Sequence, residues 1–373
     1  MSHELSHQQD CGCDHGVSRR RVLQAGLAVA AVGAAGKSGD AFAETPAERR
    51  SEAQQQTRKA FSAASVRPID IHSHYFPEEY VRMMNADGKS RGANDPKFTD
   101  LKVRIAAMDE QGVAMHALSL TAPMVYWGDE ERSHTLARAW NDGAIAAHKS
   151  YPDRFVVLAT LPMQFPNATM DELNRVSKLP GVRGIYLGTN IAGKDLDDPM
   201  FEPVYSRIEA LDLPVFLHPL NTVGGERMAK YYLSNFIGNP VDSTIAAAHL
   251  IFGGVLDRHP KLNICLPHAG GVVPALIGRW DRGWHVRPEP EIKALPKAPS
   301  EYLSRFTYDT ISHSKDVMAL VIKTVGVERI MLGSDFCFDM GYEQPVKFVD
   351  ELGLSTTERN MVLGGTAAKL LKV

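Results

Sequence analysis

The sequence predicts an α/β protein built as a (β/α)8 TIM barrel. Three observations carry this. From Arg67 to the C-terminus, eight short apolar or β-branched runs alternate with longer amphipathic stretches, the rhythm of parallel strands joined by crossover helices. The span 67–373 suits one barrel with long functional loops, since such barrels run to ~250 residues or more. The first run is followed by His72-Ser73-His74, where an open doubly wound sheet would want a Gly-rich phosphate turn.

In chain order the expected strands are Arg67 to His72, Met115 to Leu120, Phe155 to Thr160, Val182 to Leu187, Pro214 to His218, Leu262 to Leu266, Phe306 to Asp309 and Arg329 to Leu332. Helical patterns lie between them at Leu101 to Gln111, Ser133 to His148, Ala168 to Ser177, Phe201 to Leu211, Val241 to Leu256 and Lys315 to Val325. The first and last of these end at Gly112 and Gly326, a residue that closes helices by adopting a left-handed backbone. Residues 44–66 are polar and without periodicity, and read as a solvated lead-in.

Residues 1–43 read as an address rather than fold. Ser18-Arg19-Arg20-Arg21-Val22-Leu23 precedes an uncharged stretch, Val22 to Gly36, rich in Ala, Gly, Val and Leu; Lys37 and the small-x-small Ala41-Phe42-Ala43 follow. This resembles a twin-arginine export signal. The expectation is a mature protein delivered by the twin-arginine translocase to the periplasm or another extracytoplasmic space. That route carries chains already folded, which suits a protein loaded with a cofactor before export.

Composition narrows the function. Lys and Arg number 41 against 44 Asp and Glu, a net charge of −3, so there is no basic field for nucleic acid. No apolar run reaches the ~20 residues of a membrane-spanning helix, and no span is expected once the signal is removed. Four cysteines are too few for a disulfide scaffold. Cys11 and Cys13 would leave with the signal, and Cys265 and Cys337 read as buried packing residues.

The chemistry falls at the C-terminal ends of strands, where barrels of this kind carry their active sites. His72 and His74 are two residues apart and project to one face of a strand, able to share a cation. His218 closes the fifth strand, His268 follows the sixth in Pro267-His268-Ala269-Gly270-Gly271, and Asp335 follows the eighth in Gly333-Ser334-Asp335. Imidazoles plus a carboxylate with an open position form the donor set of a catalytic divalent ion, Zn2+ being the expected one. The pattern alone leaves open which of these histidines bind the ion. His116 reads as a core residue, His134, His148 and His259 as solvated or capping, and His249 as packed. His313, just after the seventh strand, shares the rim and is a candidate substrate contact.

Asp70-Ile71-His72-Ser73-His74, His218-Pro219, His268-Ala269-Gly270-Gly271 and Gly333-Ser334-Asp335 resemble the amidohydrolase-2 family, nearest to its semialdehyde-decarboxylase branch. The likeness runs from about Ile69 to Leu371, through Arg104-Ile105 and Met108-Asp109-Glu110-Gln111-Gly112-Val113, Leu161-Pro162-Met163-Gln164, Arg227-Met228-Ala229-Lys230-Tyr231-Tyr232 and Ile330-Met331-Leu332-Gly333-Ser334-Asp335. It implies a barrel of the metal-dependent hydrolase type in which His72, His74, His218 and Asp335 bind the metal and His268 is the acid/base residue. It also implies a homodimer in which Arg279 and Arg287 reach the neighbouring subunit's site to hold a substrate carboxylate, for which guanidinium is the fork-shaped partner. Two departures touch substrate binding and not the metal. Leu220 stands where the branch has a Trp after His-Pro, and Tyr75 to Phe98 is shorter than its counterpart, offering only Arg82 and Arg91. The expected activity is decarboxylation of a small unsaturated or aromatic carboxylic acid; hydrolysis of an ester, lactone or amide is the alternative on the same site.

Overall fold

The computed structural model describes residues 66–89, 95–220 and 222–373. The export signal read over 1–43, all but the last residue of the lead-in, and Arg91 lie outside the described residues.

Eight strands form one sheet: β1 (Ile69–His74), β2 (Met115–Ser119), β3 (Phe155–Thr160), β4 (Val182–Gly188), β5 (Val215–His218), β6 (Ile264–Leu266), β7 (Phe306–Asp309) and β8 (Ile330–Met331). Each pairs in parallel with the next in chain order. The last meets the first: Ile71 N donates to Leu332 O at 3.0 Å and Asp335 N to His72 O at 2.9 Å, with a parallel bridge between Ser73 and Phe336. The sheet is thereby a closed barrel.

The strands are buried along nearly their whole length, which is why they read as apolar runs and not as an inside/outside alternation. Alternation nevertheless sorts their side chains. Met115 and Ala117, Val156 and Leu158, and Phe216 belong to one apolar cluster. Leu118, Phe155, Val157, Ala159, Val215 and Leu217 belong to a second, larger one, shared with Leu136, Trp140, Leu173, Ile208 and Leu250 of the surrounding helices. The same two-residue period then carries Ser119 from the Met115 and Ala117 face, and His218 from the Phe216 face, to the C-terminal rim.

The predicted helix stops hold. Asp100 caps Leu101–Gln111 by accepting from Lys102 N at 2.7 Å, and Gly112 ends it at φ 71°. Ser314 caps Lys315–Val325, and Gly326 follows at φ 95°. The long helix expected over Val241 to Leu256 is instead two, Asn239–Phe252 and Val255–Arg258, because Gly254 turns the backbone left-handed at φ 70°. Elements that were not expected include the helix Glu78–Ala86 after β1, an antiparallel pair, Asn190–Ile191 with Lys194–Asp195, the helix Val273–Val286 after β6, and the C-terminal helices Pro345–Asp350, Thr356–Asn360 and Thr366–Leu371. Only Val273 and Pro274 of the helix Val273–Val286 are buried, while Ile277, Trp280 and Trp284 pack partly covered against the core. Cys265 and Cys337 are buried free thiols. No helix among the described residues is long and apolar enough to cross a membrane.

Candidate metal centre

His72 and His74 leave the end of β1, His218 closes β5, and Asp335 follows β8. Barrel closure gathers them at one rim, where one donor atom from each lies within 4.8 Å of all the others, every residue buried. His74 Nε2 is 3.1 Å from both His72 Nε2 and Asp335 Oδ1, and His72 Nε2 is 3.5 Å from that oxygen.

The other ring nitrogens are occupied from outside. His72 Nδ1 meets Asp309 Oδ2 at 2.7 Å, His74 Nδ1 meets Ser119 Oγ at 3.0 Å, and His218 Nδ1 meets Pro219 O at 2.9 Å. Ser119 Oγ donates its own proton to Ser73 O, so it is free to accept from His74. An Nδ1–H given outward leaves an Nε2 lone pair facing inward, the arrangement that metal histidines use. Three such lone pairs and a carboxylate converging in a buried space fit a divalent cation, which satisfies all four at once.

The electrostatics agree. Burial pulls His74 down to about 4, the Asp335 hydrogen bond opposing it only in part, so the imidazole stays neutral. Burial, then the neighbouring His74 and His72, also hold His218 well below its ordinary value. Burial alone would raise Asp335, but the His74 hydrogen bond and the surrounding imidazoles hold it below the usual carboxylate range. His74 and His218 are thus neutral donors beside an ionised oxygen, whereas His72 is pushed up, burial being outweighed by its Asp309 hydrogen bond and the Asp335 charge.

Asp309, the last residue of β7, was missed in the sequence. Besides His72 it accepts from His268 N at 3.0 Å, Ala269 N at 2.8 Å and Ile311 N at 3.0 Å. Burial raises its pKa, but the His72 hydrogen bond and charge outweigh this and keep it ionised. It therefore orients a ligand histidine and the His268 backbone together. The available signal was positional: Asp309 closes an apolar run as His218 does. Ser119, and Thr121, whose Oγ1 lies 3.1 Å from His218 Nε2, carried no comparable signal.

His268 stands beside the ligand group and is not one of its four members. Its ring centre is 5.3 Å from that of His72 and 5.8 Å from that of His218, its backbone is held at φ 53°, and its Nδ1 has no partner among the described residues. Burial and the nearby His72 lower its pKa.

Two cavities adjoin the centre and share Asp335, Asn235, Asn239 and Met340. The larger, of about 520 Å³, is walled by Phe76, Phe98, Phe338, Met84 and Leu220 and reaches His218 and Thr121. The smaller, of about 250 Å³, holds His268, Ser312 and His313. His313 is exposed, its ring centre 4.8 Å from that of Tyr342. Arg279 and Arg287 are exposed on or just beyond the helix Val273–Val286 and line neither cavity; Arg287 pairs with Glu289.

The remaining histidines are only partly as expected. His116 is buried in the core. His259 is neither solvated nor merely a cap. It is 4% exposed and meets Glu202 Oε2 at 2.9 Å, because Glu202 at the start of the helix Glu202–Ala210 reaches it. His249 is half-buried between Asp195 and Asp197.

A closed parallel barrel with buried imidazole and carboxylate donors at its C-terminal rim defines a metal-dependent enzyme of the (β/α)8 class. The amidohydrolase family model matches residues 69–373, and the chain belongs to that family. It is 32% identical over 327 residues to the 2-amino-3-carboxymuconate-6-semialdehyde decarboxylase of Dictyostelium discoideum, covering 81% of this chain and 91% of the relative. It is 29% identical to the gamma-resorcylate decarboxylase of Rhodococcus jostii, over 73% of this chain and 87% of that protein. Among solved structures, 5-carboxyvanillate decarboxylase from Sphingomonas paucimobilis superposes with a TM-score of 0.76 at 28% identity, covering 83% of this chain and all of that one.

Proposed function

We propose that the protein is a divalent-metal-dependent decarboxylase of a small aromatic or unsaturated carboxylic acid. The observation that carries this reading is an aromatic-walled cavity of about 520 Å³ opening directly onto Asp335 and His218. It lies within the size range of small-molecule sites, in a chain whose relatives are decarboxylases.

The reaction is R–COO⁻ + H⁺ → R–H + CO2. The carbon–carbon bond breaks, its electron pair stays on the ring or alkenyl carbon, and that carbon takes a proton. A divalent ion held by His72, His74, His218 and Asp335 would supply positive charge to hold and polarise substrate oxygens. Phe76, Phe98 and Phe338 grip the ring and exclude water. Phe98 meets both other rings edge to face, at 5.4 and 5.3 Å between centres. His268 delivers the proton, imidazole being the side chain best suited to proton transfer near neutral pH, and Asp309 holds its backbone in place.

Three imidazoles and one carboxylate favour Zn2+, with Mn2+ as the competitor that metal analysis would reveal. A panel of aromatic and unsaturated acids, lactones and esters, followed for CO2 and for acid release separately, tests the reaction class. CO2 without net acid is expected, and acid release from an ester or lactone without CO2 would assign a hydrolase.

Two further readings rest on the sequence. Residues 1–43 direct export to the periplasm through the twin-arginine translocase; replacing Arg19 and Arg20 with Lys should strand the protein in the cytoplasm, and unaffected export would refute the signal. The enzyme works as a homodimer in which Arg279 and Arg287 serve the partner's site, consistent with their exposure on a helix that touches neither cavity of its own chain. Two inactive variants, Arg287→Ala and His268→Ala, should then regain partial activity when mixed and refolded. No recovery would mean a self-contained site.

A further inference from the structure

Beneath the metal centre lies a buried guanidinium that none of the chemistry above uses. Arg104, on the helix Leu101–Gln111, is 0% exposed and forms no ion pair with a carboxylate among the described residues. A buried cation without a counter-ion is costly. Its contacts are therefore more informative than its burial.

Arg104 Nη2 donates to the carbonyl oxygen of His74, and Nη1 lies 3.1 Å from His116 Nδ1. The guanidinium carbon sits 4.8 Å from the ring centre of Phe336, the residue after Asp335. With Nδ1 accepting, His116 carries its hydrogen on Nε2, which faces Asp70 Oδ2 at 3.5 Å as an electrostatic contact and not a hydrogen bond. Asp70 in turn accepts from His72 N at 2.9 Å, from Ser334 N at 3.1 Å and from Ser334 Oγ. Both arms thus end on the same two segments, the His72–His74 strand end and the Ser334–Phe336 loop. These meet at the seam where β8 closes onto β1.

We infer that Arg104 is a positioning residue for the metal centre. It clamps the seam so that His74 and Asp335, which belong to opposite ends of the barrel sequence, are held 3.1 Å apart before any ion arrives. Lysine could not replace it, since a single ammonium cannot span the His74 carbonyl and the His116 ring while lying flat on Phe336.

The inference rests on the metal reading, and the wild-type chain separates the two. If it binds no divalent ion, the metal reading fails on its own. Given wild-type binding, the dissociation constants of Zn2+ for Arg104→Met and Arg104→Lys, measured by chelator competition, test the clamp. The visible spectra of the Co2+-loaded proteins and the thermal midpoints of the metal-free proteins are read beside them. Both variants should bind Zn2+ ~10–100-fold more weakly, the range seen when groups supporting metal ligands are removed. Their Co2+ bands should be altered, while the metal-free variants still melt cooperatively, somewhat below the wild type because the His74 carbonyl and His116 ring lose a donor. Wild-type affinity and Co2+ spectrum in either folded variant would overturn the assignment. Should Arg104→Met fail to fold, Arg104→Lys alone decides by the same affinity and spectrum.

Discussion

His268→Ala is expected to bind its metal as the wild type does and to lose turnover by ~10²–10⁴-fold, the usual contribution of a positioned acid or base. The ring lies in the smaller cavity beside the centre, outside the group of converging donors. Its removal leaves the His72, His74, His218 and Asp335 contacts untouched. The backbone should stay in place as well, because Asp309 holds His268 and Ala269 through their N–H groups, which alanine retains. Metal content and CO2 release measured on the same preparation check this. Loss of the metal along with activity would make His268 a ligand and leave the proton without a donor.

Asp335→Ala is expected to do the opposite, losing the metal first and activity in consequence. Asp335 supplies the only carboxylate of the donor set, and its Oδ1 lies within 3.5 Å of both His72 Nε2 and His74 Nε2. Without it, three buried imidazoles face one another with no anionic partner, and one of them must hold a proton or move. The affinity loss should exceed the ~10–100-fold typical of outer-shell partners. Chelator competition on the variant provides the measurement. An Asp335→Ala protein that keeps wild-type affinity would place the ion elsewhere.

The barrel was legible in the sequence because both faces of a parallel sheet are covered. Phe155-Val156-Val157-Leu158-Ala159-Thr160 reads as a strand by composition alone, and its ends agree with β3. The helix Val273–Val286 was overlooked although Val273, Ile277, Trp280 and Trp284 fall at helical spacing; it follows directly on the His268-Ala269-Gly270-Gly271 turn and buries only its first two residues. The metal-type residues were legible for a different reason, in that a polar group closing an apolar run stands out. That rule could not separate His218 from His268, since each sits beside a proline at the end of such a run. Their geometry separates them: His218 is the last residue of β5, whereas His268 lies beyond β6 at φ 53°. Arg104 belongs to a stretch that carries the family likeness, but nothing in the sequence assigned it a role. Between Val103, which is exposed, and Ile105, an arginine on a helix looks like a surface charge. Only the packing of that helix against the β1–β8 seam reveals a buried one.

The central claim is that one divalent ion at the His72–His74–His218–Asp335 centre supports carbon–carbon bond cleavage. It is tested most directly by titrating chelator-stripped protein with Zn2+ while following CO2 release from an acid the loaded enzyme consumes. CO2 release should be absent from the stripped protein, rise in proportion to added ion, and level off at about one ion per chain, as a single four-ligand site requires. Undiminished CO2 release by the stripped protein would contradict the account.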